Sequence, residues 1–361
     1  AAKAKKEKKV LLGRPGNSLK IGLVGLPNVG KSSLFNLFGG LQVPAENFPF
    51  CTIDPANTQV AVPDDRFDHL CEAFHPNKQI PAVLTVTDIA GLVRGAAEGK
   101  GLGNAFLSNI QAVDAIFHVT RAFIAKEIEH VEGNVDPIRD FQIIRAELIA
   151  KDKQWMTDST EMLRKKARAK ATKEQKEEIE TCEKVLELLG NGVEVRNGQW
   201  TSREISFLNA YPLLTAKPVV YLVNISRQNM ETSTNKWFKD IKEWMAKESP
   251  DDPVIPFSVA FEEHLLTLKP DEKKAYLEEK KLISMMPRII KSGHKALQFI
   301  NYFTVGQDEV RSWSIRDGTR APQAAGVIHG DFEEHFICAE TYNYEDFKAA
   351  GSTEAGVKAA G

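Results

Sequence analysis

The feature that most constrains this chain is a glycine-rich turn between an apolar run and an amphipathic stretch. Residues 19–24 read LKIGLV, which is typical of a buried strand. They lead into Gly25-Leu-Pro-Asn-Val-Gly-Lys-Ser-Ser33, after which apolar residues recur with helical spacing. The order strand, G-x-x-x-x-G-K-S, helix is the context that a phosphate-binding loop requires. The sequence therefore predicts an α/β P-loop protein that binds a nucleotide.

Each residue type in this loop has a chemical role. Glycines let the backbone curl so that its amides point at phosphate oxygens, and the following helix adds the positive end of its dipole. We expect Lys31 to reach the β and γ phosphates and Ser32 to ligate magnesium through its hydroxyl. The loop residues predicted to bind the nucleotide are Asn28, Val29, Gly30, Lys31, Ser32 and Ser33.

Two further motifs follow at the spacing of a nucleotide switch. A second apolar strand ends in Asp88-Ile-Ala-Gly91, about 60 residues after the loop. Asp88 is predicted to hold magnesium through a water, and the Gly91 amide to sense the γ phosphate. Thr52, after Asn47-Phe-Pro-Phe-Cys51, is predicted to supply a second magnesium hydroxyl. The glycine-rich stretch 92–104 is interpreted as a switch, and a plain flexible loop is the alternative.

The catalytic group is not at its usual place. Ras-like GTPases orient the attacking water with a glutamine directly after D-x-x-G, and this chain has Leu92 there. An apolar side chain cannot hold a water. His118, in the apolar run that begins at Ala115, is the candidate substitute. A histidine packed in the core of a strand is the alternative interpretation.

The base-side motif lacks a guanine reader. After the strand 219–223 comes Asn224-Ile225-Ser226-Arg227, where a guanine-specific protein has N-K-x-D. The carboxylate of that motif accepts hydrogen bonds from the guanine edge, whereas Arg227 can only donate. Asn224 is retained, and Ser258 lies in the expected last base-side loop. The base site thus lacks the carboxylate that makes such a site specific for guanine.

Composition excludes several classes of protein. The chain has 361 residues, 42% of them hydrophobic, and a formal net charge of −2, so wholesale electrostatic capture of nucleic acid is not implied. No apolar run approaches the length of a membrane span. The four cysteines lie too far apart in sequence for a zinc or redox motif, which fits a cytoplasmic protein.

Taken together, these motifs resemble the YchF subfamily of Obg-like ATPases. The likeness rests on the loop at 25–32, on Asn47 to Pro55, on Asp88 to Val93 and on Gly101-Leu-Gly-Asn-Ala-Phe106. It extends through the segments 131–140 and 321–326, and thus covers nearly the whole chain. The resemblance implies an ATPase that uses Mg²⁺ and also accepts GTP, associated with ribosomes, ribosomal RNA and translation.

The resemblance also implies roles for individual residues. It supports His118 as the substitute for the missing glutamine, and it places Ile225, and less directly Phe123, beside the adenine. The family's usual N-x-x-E is N-I-S-R in this chain, which leaves the role of Arg227 open. Two alternatives to the ATPase remain: an Obg-type GTPase with relaxed base reading, and a nucleotide-gated ribosome- or RNA-binding module with negligible hydrolysis.

The predicted organisation combines a G domain with two additions. Residues 1–16 are expected to form a lysine-rich disordered arm, and residues 17–145 and 193–296 the two parts of the G domain. Between them, 146–192 is predicted to be a helical coiled-coil insertion, interpreted either as a solvated face or as an RNA-contacting arm. Residues 297–361 are expected to form a β-grasp TGS domain that lacks some C-terminal strands, because the chain stops at Gly361.

Overall fold

The structure is a computed structural model that describes residues 11–14, 16–41, 56–89, 108–167 and 171–360. Within these ranges the strands are β1 (Lys20–Val24), β2 (Asn57–Ala61), β3 (Lys78–Ile80), β4 (Val83–Asp88), β5 (Ala115–Arg121), β6 (Val219–Asn224), β7 (Val254–Phe257), β8 (Phe299–Thr304) and β9 (Glu309–Arg316). The helices are α1 (Lys31–Gly40), α2 (Asp65–Phe74), α3 (Pro137–Ala167), α4 (Lys173–Gly190), α5 (Ser202–Leu208), α6 (Arg227–Thr232), α7 (Phe238–Glu248), α8 (Val259–Thr267), α9 (Pro270–Lys280), α10 (Met286–Ala296), α11 (Ala321–Gly326), α12 (Gly330–Glu334), α13 (Tyr344–Ala349) and α14 (Glu354–Ala360).

Six strands form the central sheet, in the order β2-β4-β1-β5-β6-β7. All neighbours pair in parallel except β2, which runs antiparallel to β4. The strands β5 and β6 are buried along their whole length, because helices cover both faces of the sheet. The predicted α/β class is confirmed. The carboxyl ends of the five parallel strands therefore meet at one edge, where ligands bind in open α/β sheets.

Two long helices lie between β5 and β6 in the chain. The helix α3 begins nine residues before the predicted insertion, because the Asp136 carboxylate accepts from the amides of Ile138 and Arg139 and Pro137 occupies the first helical position. Met156 on α3 packs with Cys182 and Val185 on α4, and Arg164 pairs with Glu183 at 2.6 Å. These contacts place the two helices side by side.

The C-terminal residues form a second, three-stranded sheet in the order β3-β9-β8. The predicted strand at 310–315, turn at 317–318 and helix from Ala321 are confirmed by β9, a turn and α11. The third strand, β3, comes from the first part of the G domain and pairs in parallel with β9. Helix α2 also packs against this sheet, with Leu70 contributing to a cluster that contains Val310 and Phe347. The residues after the boundary predicted at 297 therefore pack directly with β3 and α2, which precede it in the chain.

The end of the N-terminal arm is bound to the rest of the molecule. The amide of Gly13 donates to Asn209 Oδ1 at 2.7 Å, and the guanidinium of Arg14 pairs with Asp114 at 2.9 Å. Arg316 donates to the carbonyl of Arg14. Folded contacts thus begin before residue 17, whereas residues 1–10 lie outside the described part of the chain.

Candidate functional site at the carboxyl edge of the sheet

The turns that follow β1, β5, β6 and β7 surround a cavity of about 590 Å³, which we call the strand-end cavity. It brings together eight of the eleven residues predicted to bind a nucleotide. These are Asn28, Gly30, Lys31, Ser32, Ser33, Phe123, Asn224 and Ile225. Residues more than 190 positions apart in sequence thus meet because their parallel strands end at the same edge.

The remaining predicted residues have other positions. Val29 is 1% exposed, and its carbonyl accepts from the Asn224 side chain. Ser258 is fully buried, and its hydroxyl accepts from the amide of Phe261 at the start of α8. Both residues are buried and are chain neighbours of residues that line the cavity. Gly91 and the predicted metal ligand Thr52 lie outside the described residues, as do Leu92 and the glycine-rich stretch.

The glycine-rich turn has the backbone that its sequence predicts. Asn28 and Gly30 adopt positive φ angles of 61° and 102°, so the turn curls tightly before α1 begins at Lys31. Asparagine and glycine are the residues that tolerate this region best. The Asn28 side chain also donates to the carbonyl of Glu129 at 3.2 Å, which joins the turn to the loop that follows β5.

Lys31 and Asp88 supply opposite charges beside the turn. The Lys31 side chain is buried, and its Nζ donates to the carbonyl of Leu26 at 2.7 Å. Burial lowers the pKa of Lys31 to about 8, and the charge of Asp88 opposes this shift. Asp88, at the end of β4, is half-buried, and burial raises its pKa while Lys31 lowers it. A phosphate group placed here would lie beside a positive charge that is largely shielded from bulk water.

Asn224 joins the two sides of the cavity. Its Nδ2 donates to the carbonyl of Val29 at 3.0 Å, and its Oδ1 accepts from the amide of Val259 at 3.2 Å. The side chain is 3% exposed, so both bonds lie in a dry environment where an unmade bond would be costly. The retained asparagine therefore fixes the glycine-rich turn against the start of α8.

Ile225 and Arg227 differ in their relation to the cavity. Ile225 lines it with an apolar side chain that is 3% exposed. Arg227 also borders the cavity, and two contacts hold its guanidinium. Its Nη2 donates to the Tyr276 hydroxyl on α9 at 2.9 Å, and its Nε donates to Glu231 on α6 at 3.2 Å. The sequence left the role of Arg227 open, and these contacts assign it a link between α6 and α9.

The loop 122–130 forms one wall of the cavity through Phe123 and Ile128. Sequence reasoning missed what holds this loop. Arg121, at the end of β5, is 1% exposed, and its guanidinium donates to the carbonyls of Phe123, Ala125 and Ile128 at 3.0 to 3.2 Å. A basic residue at the end of a mainly apolar strand is the signal that could have revealed it.

The far end of this loop is fixed by a buried pair. His130 Nε2 lies 3.0 Å from an oxygen of Asp140 on α3, and His130 Nδ1 accepts from the amide of Glu132. The two bonds together require the tautomer with its proton on Nε2. Burial raises the pKa of Asp140, and His130 opposes that shift. Glu263, on α8, is a second residue that sequence reasoning missed, and it adds a carboxylate to the cavity lining.

His118 does not line the cavity in this structure. Its ring is 4% exposed in the middle of β5, with its centroid 5.1 Å from that of Phe141 and 5.4 Å from that of Tyr221. Within the described residues its Nε2 has no hydrogen-bond partner. Burial, with smaller contributions from Arg196 and Lys31, lowers the pKa of His118 to about 3. The ring is thus neutral at physiological pH.

The described residues contain no cluster of metal ligands and no membrane-spanning helix. Among the residues that the structure describes, no three His, Cys, Asp or Glu side chains converge as metal ligands. A magnesium ion held mainly by nucleotide phosphates needs only one or two protein oxygens, and Ser32 and Asp88 offer a hydroxyl and a carboxylate beside Lys31. None of the described helices is both long and apolar enough for a bilayer crossing.

Two family models match the chain. The model described as 50S ribosome-binding GTPase matches residues 20–153, which contain the glycine-rich turn, Asp88, Arg121 and the start of α3. The C-terminal module of YchF-type GTPases, a family described as a protein of unknown function, matches residues 299–361. The second match begins where β8 begins.

Similar proteins match over nearly the full length. Obg-like ATPase 1 of Homo sapiens is 53% identical over 353 residues, which are 97% of this chain and 89% of that protein. Obg-like ATPase 1 of Oryza sativa subsp. indica is 51% identical over 351 residues, with the same coverage. The solved structure of the Schizosaccharomyces pombe YchF GTPase superposes with a TM-score of 0.90 at 50% identity, covering 98% of this chain and 94% of that one. With its P-loop cavity and these relatives, the chain belongs to the Obg-like ATPase (YchF) family of P-loop NTP hydrolases.

Proposed function

We propose that this protein is a magnesium-dependent nucleotide switch that hydrolyses ATP, and GTP less well. The observation that carries the proposal is the strand-end cavity, in which the turn containing Lys31 faces an apolar wall of Phe123, Ile128 and Ile225. The turn offers amides and a cation to phosphates, and the wall offers a dry surface to a purine. Triphosphate and base recognition thus meet in one cavity.

Residues 225 and 227, at the apolar part of the cavity, support the preference for ATP. A guanine reader needs a carboxylate at the position of Arg227, and that guanidinium instead binds Tyr276 and Glu231. The lysine stem that packs on guanine is replaced by Ile225. Loss of a hydrogen-bonding reader of this kind changes specificity by orders of magnitude.

Residues in and near the cavity have separate proposed roles in hydrolysis. Lys31 and the amides of residues 28–33 would hold the β and γ phosphates and offset the negative charge that they carry. Ser32, Asp88 and Thr52 would hold the magnesium ion, which when bound neutralises phosphate charge. Positioning of the attacking water is assigned to His118, because Leu92 cannot perform it. That assignment requires the ring to leave its place between Phe141 and Tyr221.

We assign the regions outside the G domain to partner binding in the cytoplasm. The end of the α3–α4 pair carries the exposed side chains of Lys165, Lys166 and Lys173, which suit the phosphates of ribosomal RNA. The β3-β9-β8 sheet with its helices is assigned as a TGS-type binding module. Nucleotide state would then control association with the ribosome.

A titration of ATP and GTP against the same protein tests the proposal. We expect tighter binding of ATP, and loss of both affinities in Lys31→Ala. The double variant Ile225→Lys with Arg227→Asp restores the guanine reader and should shift the affinity ratio toward GTP. Equal binding of ATP and GTP by the parent would contradict the preference, and unchanged binding by Lys31→Ala would contradict the phosphate site itself.

The alternative function is a GTPase of the Obg type. It is favoured by the carboxylate of Glu263, which lines the cavity. If Glu263 reads guanine, Glu263→Gln will weaken GTP and leave ATP unchanged. Turnover measured with and without ribosomes separates both enzymes from a binding module with negligible hydrolysis.

A further inference from the structure

The loop 122–130 lacks the hydrogen bonds of regular structure, yet it forms a wall of the strand-end cavity. Its carbonyls are instead engaged by side chains from elsewhere. Asn235 donates to the carbonyl of Ala122 at 2.7 Å, and Asn28 donates to that of Glu129. Three of the six carbonyls between them, those of Phe123, Ala125 and Ile128, accept from one residue, Arg121.

Arg121 is unusual because no described carboxylate touches its buried guanidinium. Burial lowers the pKa of Arg121, and the negative charge of Asp140 opposes this shift. A buried charge is tolerated only when its donors are satisfied. The carbonyls of Phe123, Ala125 and Ile128 satisfy Nε, Nη2 and Nη1 in turn. The planar fork of donors is a geometry that lysine cannot reproduce.

The guanidinium also supports the Phe123 ring directly. Its central carbon lies 4.8 Å from the ring centroid, which is within the range of a cation–π contact. The ring therefore has Arg121 beside it and forms part of the cavity wall. Ile128, on the other side of the loop, is 41% exposed and lines the same cavity.

We propose that Arg121 is a positioning residue for purine recognition: it fixes Phe123 and Ile128 as the apolar wall on which the base of the nucleotide packs. Arg121 does not itself meet the ligand, since it is buried behind the loop. Its effect is therefore confined to the binding energy that depends on the base. The phosphate side of the cavity, held by Asn224 and by α1, is independent of it. This inference rests on the proposed nucleotide binding.

The experiment compares ATP with tripolyphosphate, which carries the same phosphates and no base. We expect Arg121→Met to raise the Kd for ATP about tenfold or more, as removal of a stacking surface from a base does, while the Kd for tripolyphosphate changes less than twofold. Arg66→Met is the matched control, because Arg66 also lies over a phenylalanine, Phe303 at 5.0 Å, but outside the cavity. It should change neither Kd.

A double-mutant cycle with Phe123→Ala completes the test. Phe123→Ala should reproduce the loss for ATP, and the double variant should bind ATP no worse than either single variant, since both remove the same wall. Additive losses, or an unchanged ATP Kd in Arg121→Met, would overturn the proposal. A parallel loss of tripolyphosphate binding would also overturn it. Failure of the parent to bind ATP at all would instead refute the proposed function.

Arg121→Lys is a second variant, included in case Arg121→Met fails to fold. Lysine keeps the positive charge but can donate to only some of the three carbonyls. We therefore expect its Kd for ATP to lie between those of the parent and Arg121→Met. Its melting temperature should equal that of Arg66→Met. A lysine variant that binds ATP as tightly as the parent would show that charge alone is sufficient. That result would contradict the positioning role.

Discussion

The side-chain nitrogen of Asn224 occupies the space that a Cβ atom on Gly30 would need, because the two atoms would lie 2.5 Å apart. The same nitrogen donates to the Val29 carbonyl. The glycine of the P-loop and the asparagine of the base-side motif are thus a matched pair, although they are 194 positions apart in sequence.

Gly30→Ala tests this relationship. Alanine would have to adopt a φ of 102° and displace Asn224, so we expect nucleotide binding to be lost and the chain to be destabilised by about 1–3 kcal/mol. Gly39→Ala is the control, because a Cβ there meets nothing within 4 Å and the residue lies in α1. That variant should bind ATP normally. Isothermal titration and thermal melting give both quantities, and normal ATP binding by Gly30→Ala would refute the pairing.

Magnesium dependence should respond to the predicted oxygen ligands. Ser32→Ala, Asp88→Asn and Thr52→Ala each remove one ligand or an anchor for its water, so each should raise the magnesium concentration that gives half-maximal hydrolysis. Ser206→Ala, on α5, removes an exposed hydroxyl outside the cavity and should not. If the magnesium titrations of Ser32→Ala, Asp88→Asn and Thr52→Ala all overlay that of Ser206→Ala, the oxygens of the first three residues do not hold the metal.

The role of His118 can be decided by separating packing from chemistry. His118→Ala should lower turnover roughly 10²-fold while leaving ATP affinity nearly intact, as loss of a positioned polar catalyst does. His118→Phe fills the layer between Phe141 and Tyr221 and should restore thermal stability without restoring turnover. If the phenylalanine variant hydrolyses ATP at the parent rate, His118 is a packing residue. Single-turnover assays with ATP measure the step concerned.

Stability should depend on pH through His294, which lies on α10 against the C-terminal sheet. Its Nε2 lies 3.1 Å from Ser314 Oγ, and burial lowers its pKa to about 4, with Asp64 opposing and Arg66 reinforcing the shift. The unfolded chain therefore binds a proton between pH 6.5 and 4 that the folded chain does not. The free energy of unfolding should fall by about 2 kcal/mol from pH 7 to pH 5 on this account.

His294→Gln keeps a polar group near Ser314 and removes the titration. Denaturant unfolding at pH 7 and pH 5 should show a smaller loss of stability on acidification for this variant than for the parent. The buried ring of His118 acts in the same direction, so part of the pH dependence should remain. An identical loss in parent and variant would show that His294 is not responsible.

The sequence predicted the sheet and the conformation of the glycine-rich turn well, because both depend on local patterns. The turn at 25–32 and the strands ending at Asp88 and Asn224 carry signals that short-range geometry dictates. Arg121 was missed because its partners are backbone carbonyls, which no residue pattern reveals. The role of Arg227 could not be predicted from the sequence for a related reason. Its partner Tyr276 lies on α9, and only the tertiary fold determines where that helix packs.

The start of α3 is another feature that the sequence pattern did not predict correctly. The charged, periodic pattern predicted a helical insertion from residue 146, but the cap at Asp136 starts the helix inside the first family match. The helical arm thus continues from an element that also carries Asp140, the partner of His130.

The parallel pairing of β3 with β9 has a consequence for how the chain folds. Lys78 pairs with Glu309, roughly 230 positions later, so this sheet closes one of the longest loops in the molecule. During synthesis, residues 78–80 cannot pair until residues 309–311 have been made. Contacts of such high sequence separation slow folding. A fragment that begins at residue 299 would expose the edge of β9, which makes its autonomous folding or transfer to another protein unfavourable.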